Sequence, residues 1–569
     1  MKKIIIILCV MFVSGAMNIF TSCTDDLDAF PYNETDFTSE NAYGSDFENY
    51  LSGLAKIYLS WSNISDLKVD DGGASELLRA YWSIQECSSD ACKNNWKGDA
   101  WTQDINQNTW STASNAATYA IYARTLHGIT YVNEFLRQTT DDRLKQRGCS
   151  SEVVAKVHQL RSEARFVRAY MYWIAIDTFG DVPFVTEDSD FGAVTPEVGT
   201  RSQVFDYIVT ELEDITANDS PMADAGTLYP RADKGAALGL LSRIYLNAEV
   251  YRSTVDANGN VTAKGEPMWQ ECKAVCEKIF ELNYGLCSNY FDLFRGDNGE
   301  NPDARKEMLF SVYYDKNNNF SWGGAYFLVA ASYQGADELK DENGNSLYYM
   351  GISTPWAGVR MPYEYARDYF GVSVPESGYA EDGTYTGEYD YSDLRAGEFY
   401  IKGHSEVMSD IGVFSQGWSY YKWNNRPHDK TPAEYAEVAA GNSGASIDIP
   451  LIRLAEIYLN YAEACLHLNS TGVAVPYLNE LRNRAGLMND ISTYDRDYII
   501  KERAVELSWE SLRRTDLIRW DLFHSSTFLW NWKGGSYNGQ GFSEYKLVFD
   551  FPDTELVSNS NLSHKPGYN

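Results

Sequence analysis

The stretch LRSEARFVRAYMYWIAIDTFGDVPF, Leu160–Phe184, carries three arginines and six large aromatics and controls how this chain is read. Leu160, Ala164, Val167, Met171 and Ile174 recur at helical spacing and predict one apolar stripe on an amphipathic helix. Gly180 supplies a C-terminal stop, and Pro183 then forces extended backbone. The arginines invite a reading as a binding surface. Glu163, Arg165 and Arg168 are, however, spaced for salt bridges to adjacent helices, so the segment is expected to be scaffold.

Outward from this helix, similar patterning predicts helices at roughly 115–137, 201–216, 233–250 and 268–283. Residues 286–445 read differently: rich in Gly, Tyr, Asn and Asp, with turn signals and short candidate strands such as EMLFSVYYD. Helical order returns in IPLIRLAEIYLNYAEACLHLN, where Leu454, Tyr458, Tyr461, Cys465 and Leu468 form one stripe and Ala455, Leu459, Ala462 and Leu466 a second. Two stripes mean burial between neighbours, and the alanines allow close helix approach, as in degenerate tetratricopeptide-like hairpins. The predicted fold is mainly α, with degenerate helix-turn-helix pairs and a loop-rich irregular region carrying short strands.

The 569 residues are globular in composition, at 44% hydrophobic and 22% charged. A net charge of −32 repels phosphate backbones and argues against nucleic acid as a partner. The 41 Tyr, 25 Phe and 15 Trp suit a ligand with flat apolar faces that can stack on rings. At the N-terminus, Lys2 and Lys3 precede an apolar run, Ile4–Val13, too short to span a bilayer. FTSC then resembles a lipobox, with Phe20 where Leu is commonest, which predicts a signal peptide over 1–22 and lipidation of Cys23. The polar residues 23–40 read as a tether, followed by a helical region over 41–285 and a C-terminal region over 286–569, helical again at 446–525. The protein is therefore expected at the outer membrane, on the cell surface, held by lipid. Cys272 and Cys276 are poorly placed for a disulfide, Cys87 and Cys92 are placed to close a small loop, and no zinc spacing occurs.

Four blocks carry a family resemblance: RSEARFVRAYMYWIAIDTFGDVPF, PRADKGAALGLLSRIYL, IPLIRLAEIYLNYAEACLHLN with LNELRNRAGL, and IKERAVELSWESLRRTDLIRW. Spread from 161 to 520, they strongly resemble the SusD/RagB family of Bacteroidetes surface glycan-binding lipoproteins. The resemblance implies a mainly helical fold with about four tetratricopeptide-like helix pairs, and capture of an oligosaccharide without covalent chemistry. It also implies delivery to a SusC-like TonB-dependent outer-membrane transporter, on which the lipoprotein sits as a hinged lid.

Neutral sugars are held by rings that stack on their C–H faces and by fixed polar groups that bond their hydroxyls. The segment SSDACKNNWKGDAW resembles the family's ligand-lining stretch and nominates Asp90, Trp96, Lys97 and Trp101; Lys97 replaces the usual Arg and loses bidentate geometry. Trp110 follows by position. A second wall is expected from Tyr314, Trp322, Trp356 and Arg360. No catalytic residue, cofactor or catalytic metal is expected. The oxygen-rich Asp297–Asp303 loop admits a structural calcium but lacks EF-hand spacing. Two other classes compete: a lid subunit with little ligand affinity of its own, and a surface glycan hydrolase, for which no motif is present.

Overall fold

The computed structural model describes residues 42–61, 76–111, 115–190, 195–319, 321–335 and 339–568. The signal peptide, the tether and Cys23 lie outside these residues. The scaffold helices are α1 (Phe47–Tyr58), α2 (Leu77–Glu86), α3 (Ala116–Gln138), α4 (Ser151–Phe179), α5 (Arg201–Ile215), α6 (Lys234–Leu246) and α7 (Trp269–Phe280). They continue as α8 (Leu454–His467), α9 (Val475–Arg484), α10 (Arg496–Glu506) and α11 (Arg513–Arg519). The fold is mainly helical, as expected. Side-chain caps mark the starts: Ser150 on α4, a Thr200–Gln203 capping box on α5, Asp233 on α6 and Asp495 on α10. Gly180, at φ 72°, ends α4.

From α2 to α8 the helices pack in succession: α2 on α3, α3 on α4, α4 on α5, α5 on α6, α6 on α7, and α7 on α8, which also receives α9 and α10. The last scaffold helix, α11, returns to pack on α2 and joins the two ends of the row. One expectation needs correction. From Leu160 onward α4 is not amphipathic: Glu163, Phe166, Arg168, Tyr172 and Trp173 are buried along with the apolar stripe. A helix enclosed by α1, α3 and α5 has no free polar face, so its charges are matched inside. Arg168 bonds Glu211 and Glu187, Arg165 bonds Glu211 and Asp214, and Glu163 takes Arg231. The same rule runs through the C-terminal half, where Arg243 forks onto Glu456 and Arg503 onto Asp516. Three guanidiniums, Arg484, Arg453 and Arg395, hold the buried Glu506 carboxyl well below the usual carboxylate range against its desolvation.

Short strands tie the irregular region to this scaffold. β1 (Lys93–Asn94) pairs antiparallel with β3 (Val359–Arg360), and β2 (Met308–Val312) with β4 (Ile449–Arg453). The seven cysteines of the described residues are thiols; Cys87 and Cys92 bring their sulfurs to 3.3 Å, both buried. Among the described residues no helix is long and apolar enough to cross a membrane.

Candidate ligand-binding site

The β1–β3 pairing is what brings two distant tryptophans together. The ladder continues through Asn95 N–H, which donates to Gly358 O at 2.6 Å. Trp96 then sits on a turn, its N–H on Asn94 Oδ1 (2.9 Å) and its carbonyl accepting Thr102 Oγ1 (3.0 Å). On the other side the Trp356–Val359 segment runs across the end of the helix Ala325–Ala330. Trp356 N–H donates to Ala330 O (3.0 Å) and Gly358 N–H to Ala331 O (2.7 Å), so this segment satisfies carbonyls that the helix end leaves open.

Three indoles form an arc. Trp96 and Trp356 meet edge to face at 6.0 Å, and Trp322 lies nearly parallel to Trp356 at 6.1 Å and 28°. Tyr326 backs both Trp322 (4.9 Å) and Trp356 (5.3 Å). Trp322 is 46% exposed, so the arc opens to water at this ring. The groove beside the arc encloses about 720 Å³ between Arg79, Asn95, Trp96, Lys97, Trp356 and Phe414. Lys97 is exposed and pairs with Asp410 at 3.2 Å across the rim.

Beneath the arc lies Arg79, which was not expected. Its guanidinium carbon stands 5.4 Å from the Trp96 ring, 4.8 Å from Phe327 and 5.8 Å from Trp356. Burial lowers its pKa to about 10, opposed by the charges of Asp99 and Glu76. Arg79 is thus a buried cation held by ring faces at the floor of the groove.

Of the nine residues nominated from the sequence, Trp96, Lys97, Trp322 and Trp356 meet here. The other five lie in the interior and are corrected to supporting roles. The Asp90 carboxylate takes both arms of Arg513 (2.8 and 2.7 Å) and the Tyr369 hydroxyl (3.0 Å), which uses its acceptor capacity inside the protein. Trp101 is buried on the helix Ala100–Gln107. Trp110 packs on Phe549 at 4.5 Å and donates Nε1–H to Tyr568 Oη at 2.9 Å. Tyr314 is buried below the turn that carries Trp322. Arg360, fully buried, donates to the carbonyls of Phe414, Ser332 and Val359 and to Gln334. In the oxygen-rich loop, Asn301 caps the helix Pro302–Arg305 and Asp303 accepts from Ser288 N–H, so both serve local structure. Among the described residues, Asp297, His428 and Asp429 form the one group with metal-ligand geometry, and His428 Nδ1 and Asp297 Oδ2 are already bonded at 2.6 Å. A second cavity, about 370 Å³, lies between the hairpin Thr254–Ala263 and the C-terminal loops. Its walls mix aliphatic side chains such as Val250, Val261 and Leu547 with charged ones such as Arg201, Glu249 and Lys264, and it presents no tryptophan.

In sequence and in fold the chain matches a known group of proteins. Residues 306–568 match the family described as SusD family, and residues 73–246 match one described as "Starch-binding associating with outer membrane". The chain belongs to the SusD family. It is 29% identical to the starch-binding protein SusD of Bacteroides thetaiotaomicron over 96% of each chain, and 26% identical to the SusD-like protein P2 of Formosa agariphila over 76% of this chain and 78% of the relative. Two solved SusD-type structures share the fold. A SusD-like protein of Bacteroides fragilis has TM-score 0.65 and 17% identity over 95% of this chain and all of the other. Surface glycan-binding protein A of Bacteroides thetaiotaomicron, in complex with laminarihexaose, has TM-score 0.63 and 16% identity over 91% and 99%. The two Bacteroides thetaiotaomicron proteins are named as binding proteins, not enzymes.

Proposed function

We propose that the protein is a cell-surface glycan-binding lipoprotein that captures an oligosaccharide on the Trp96–Trp356–Trp322 arc. The observation that carries this reading is the nearly parallel pair Trp322 and Trp356, with Trp322 half open to water and Trp96 turned edge-on beside them. Such a curved apolar wall suits the C–H faces of successive sugar rings. Lys97, exposed at the rim, offers a polar group that fixes hydroxyls, and the buried Arg79 supports the rings from beneath. The similarity to a starch-binding relative supports a glycan ligand. Lipidation of Cys23 places the site outside the cell, and a SusC-like TonB-dependent transporter receives the ligand. No metal or cofactor takes part in this reading, and a calcium at Asp297 would be structural.

Affinity electrophoresis of the purified protein in gels containing starch or laminarin tests the reading. Retention in one of them, lost in the Trp96→Ala, Trp322→Ala and Trp356→Ala variants, supports it. Absence of retention in either gel, with co-purification of a transporter, favours the lid-only alternative. Release of reducing ends would favour a hydrolase.

A further inference from the structure

The turn that presents Trp322 is anchored by a buried carboxylate from a different part of the chain. Glu76, the residue preceding α2 and only 2% exposed, accepts the Gly323 N–H on Oε1 at 2.6 Å and the Ser321 hydroxyl on Oε2. The two bonds bracket Trp322 on both sides. The contact needs glycine: a Cβ on Gly323 would sit 2.7 Å from Glu76 Cδ. The carboxyl is faced by Arg79 on α2, by Arg124 on α3, by Tyr314 beyond β2 and by the turn itself. The turn supplies two hydrogen bonds to the carboxyl, one to each oxygen.

We propose that Glu76 is the positioning residue of the arc, clamping the Ser321–Gly323 turn so that capture of glycan by Trp322 follows the charge state of this one carboxyl. The proposal rests on the glycan reading above. The ionised form accepts both bonds, and charge-assisted bonds are about twice as strong as neutral ones. The protonated form has one oxygen occupied by its own hydrogen, so either the Ser321 bond must reverse or one anchor is lost. Burial pushes this carboxyl up to about 7, opposed by Ser321, Gly323, Arg124 and Arg79, which places the change within the neutral range. Affinity is therefore expected to rise with pH through about 7, with release of at most one proton at this residue.

The test titrates the protein with maltoheptaose and laminarihexaose by calorimetry at pH 6 and pH 8. The wild type should bind its ligand several-fold tighter at pH 8. Glu76→Gln, which keeps an acceptor for Gly323 and a hydrogen-bonding group for Ser321, should bind with the same affinity at both values. Glu76→Ala should bind at least tenfold more weakly at both. A pH dependence that persists unchanged in Glu76→Gln overturns the proposal. A ligand-free readout separates this from failure of the glycan reading itself. The fluorescence difference between wild type and Trp322→Phe should titrate near pH 7 and become flat when Glu76→Gln is added to both. If neither glucan binds but the fluorescence titrates, the clamp stands and the ligand assignment falls. If the fluorescence does not titrate, the clamp falls. Should Glu76→Ala fail to fold, the Glu76→Gln comparisons still decide.

Discussion

Gly358 lies against the indole of Trp96 so closely that a Cβ on it would stand 1.9 Å from the ring. The backbone of β3 and the ring of the arc are therefore one packed unit. Gly358→Ala must displace Trp96, and we expect glycan affinity to fall at least tenfold, about 1.4 kcal/mol. Calorimetry against wild type, with far-UV circular dichroism to show the helical scaffold intact, checks this.

Two tryptophans that look alike in sequence should behave in opposite ways. Trp322→Ala removes an exposed ring and should abolish retention on glycan while leaving the urea midpoint nearly unchanged. Trp110→Ala empties a buried site against Phe549 and removes one of two hydrogen bonds at the Tyr568 hydroxyl, and should cost about 3–5 kcal/mol of stability. Parallel urea melts and affinity gels of the two variants separate the roles.

The pair Asp90 and Arg513 provides a third check. Both groups are buried and doubly bonded to each other. Removing one partner strands a buried charge, so Asp90→Ala should destabilise the protein by about 3–5 kcal/mol. If Asp90 instead faced ligand, the variant would lose affinity and keep its stability.

Buried carboxyls set a pH dependence with a definite sign. Burial pushes Glu86 from 4.5 up to about 8, opposed by the N–H groups of Ser511 and Leu512. A group raised in the folded state contributes stability that is fully present below its unfolded pKa and lost as pH rises through the folded value. Its share of stability should therefore decline between about pH 4.5 and 8, by an amount on the order of a few kcal/mol. Glu86→Gln should flatten that part of the curve. His404 works the other way: burial first, then Arg360, lowers it from 6.5 to about 4, so its share is lost as pH falls from 6.5 toward 4. Urea midpoints measured from pH 4 to 8 for wild type, Glu86→Gln and a His404 substitution resolve the two contributions.

The scaffold was legible because its signals are local. The stop at Gly180 and the helical spacing around Leu454 depend only on near neighbours. The complete burial of α4 was not legible, since the helices that enclose it come from elsewhere in the chain. The site was half legible for the same reason. Trp96 and Trp101 share one polar, loop-like stretch, and only the distant Gly358 segment determines which of them is presented. Arg360 has the composition of a ligand contact, yet four acceptors of the protein's own consume it. Glu76 was missed because the turn it anchors lies more than 200 residues away in sequence, and Arg79 because two of the three rings over it, Phe327 and Trp356, are as distant. The Gly-Gly pair after Trp322 was the available signal, marking a backbone that something must approach closely.

The central claim is that Trp96, Trp322 and Trp356 form one glycan-binding surface. Isothermal titration of purified wild type and the three single alanine variants with maltoheptaose and laminarihexaose tests it most directly. The account predicts saturable binding of at least one of these by the wild type, with at least a tenfold loss in every variant and unchanged circular dichroism. Binding that survives all three substitutions, in folded protein, would contradict it.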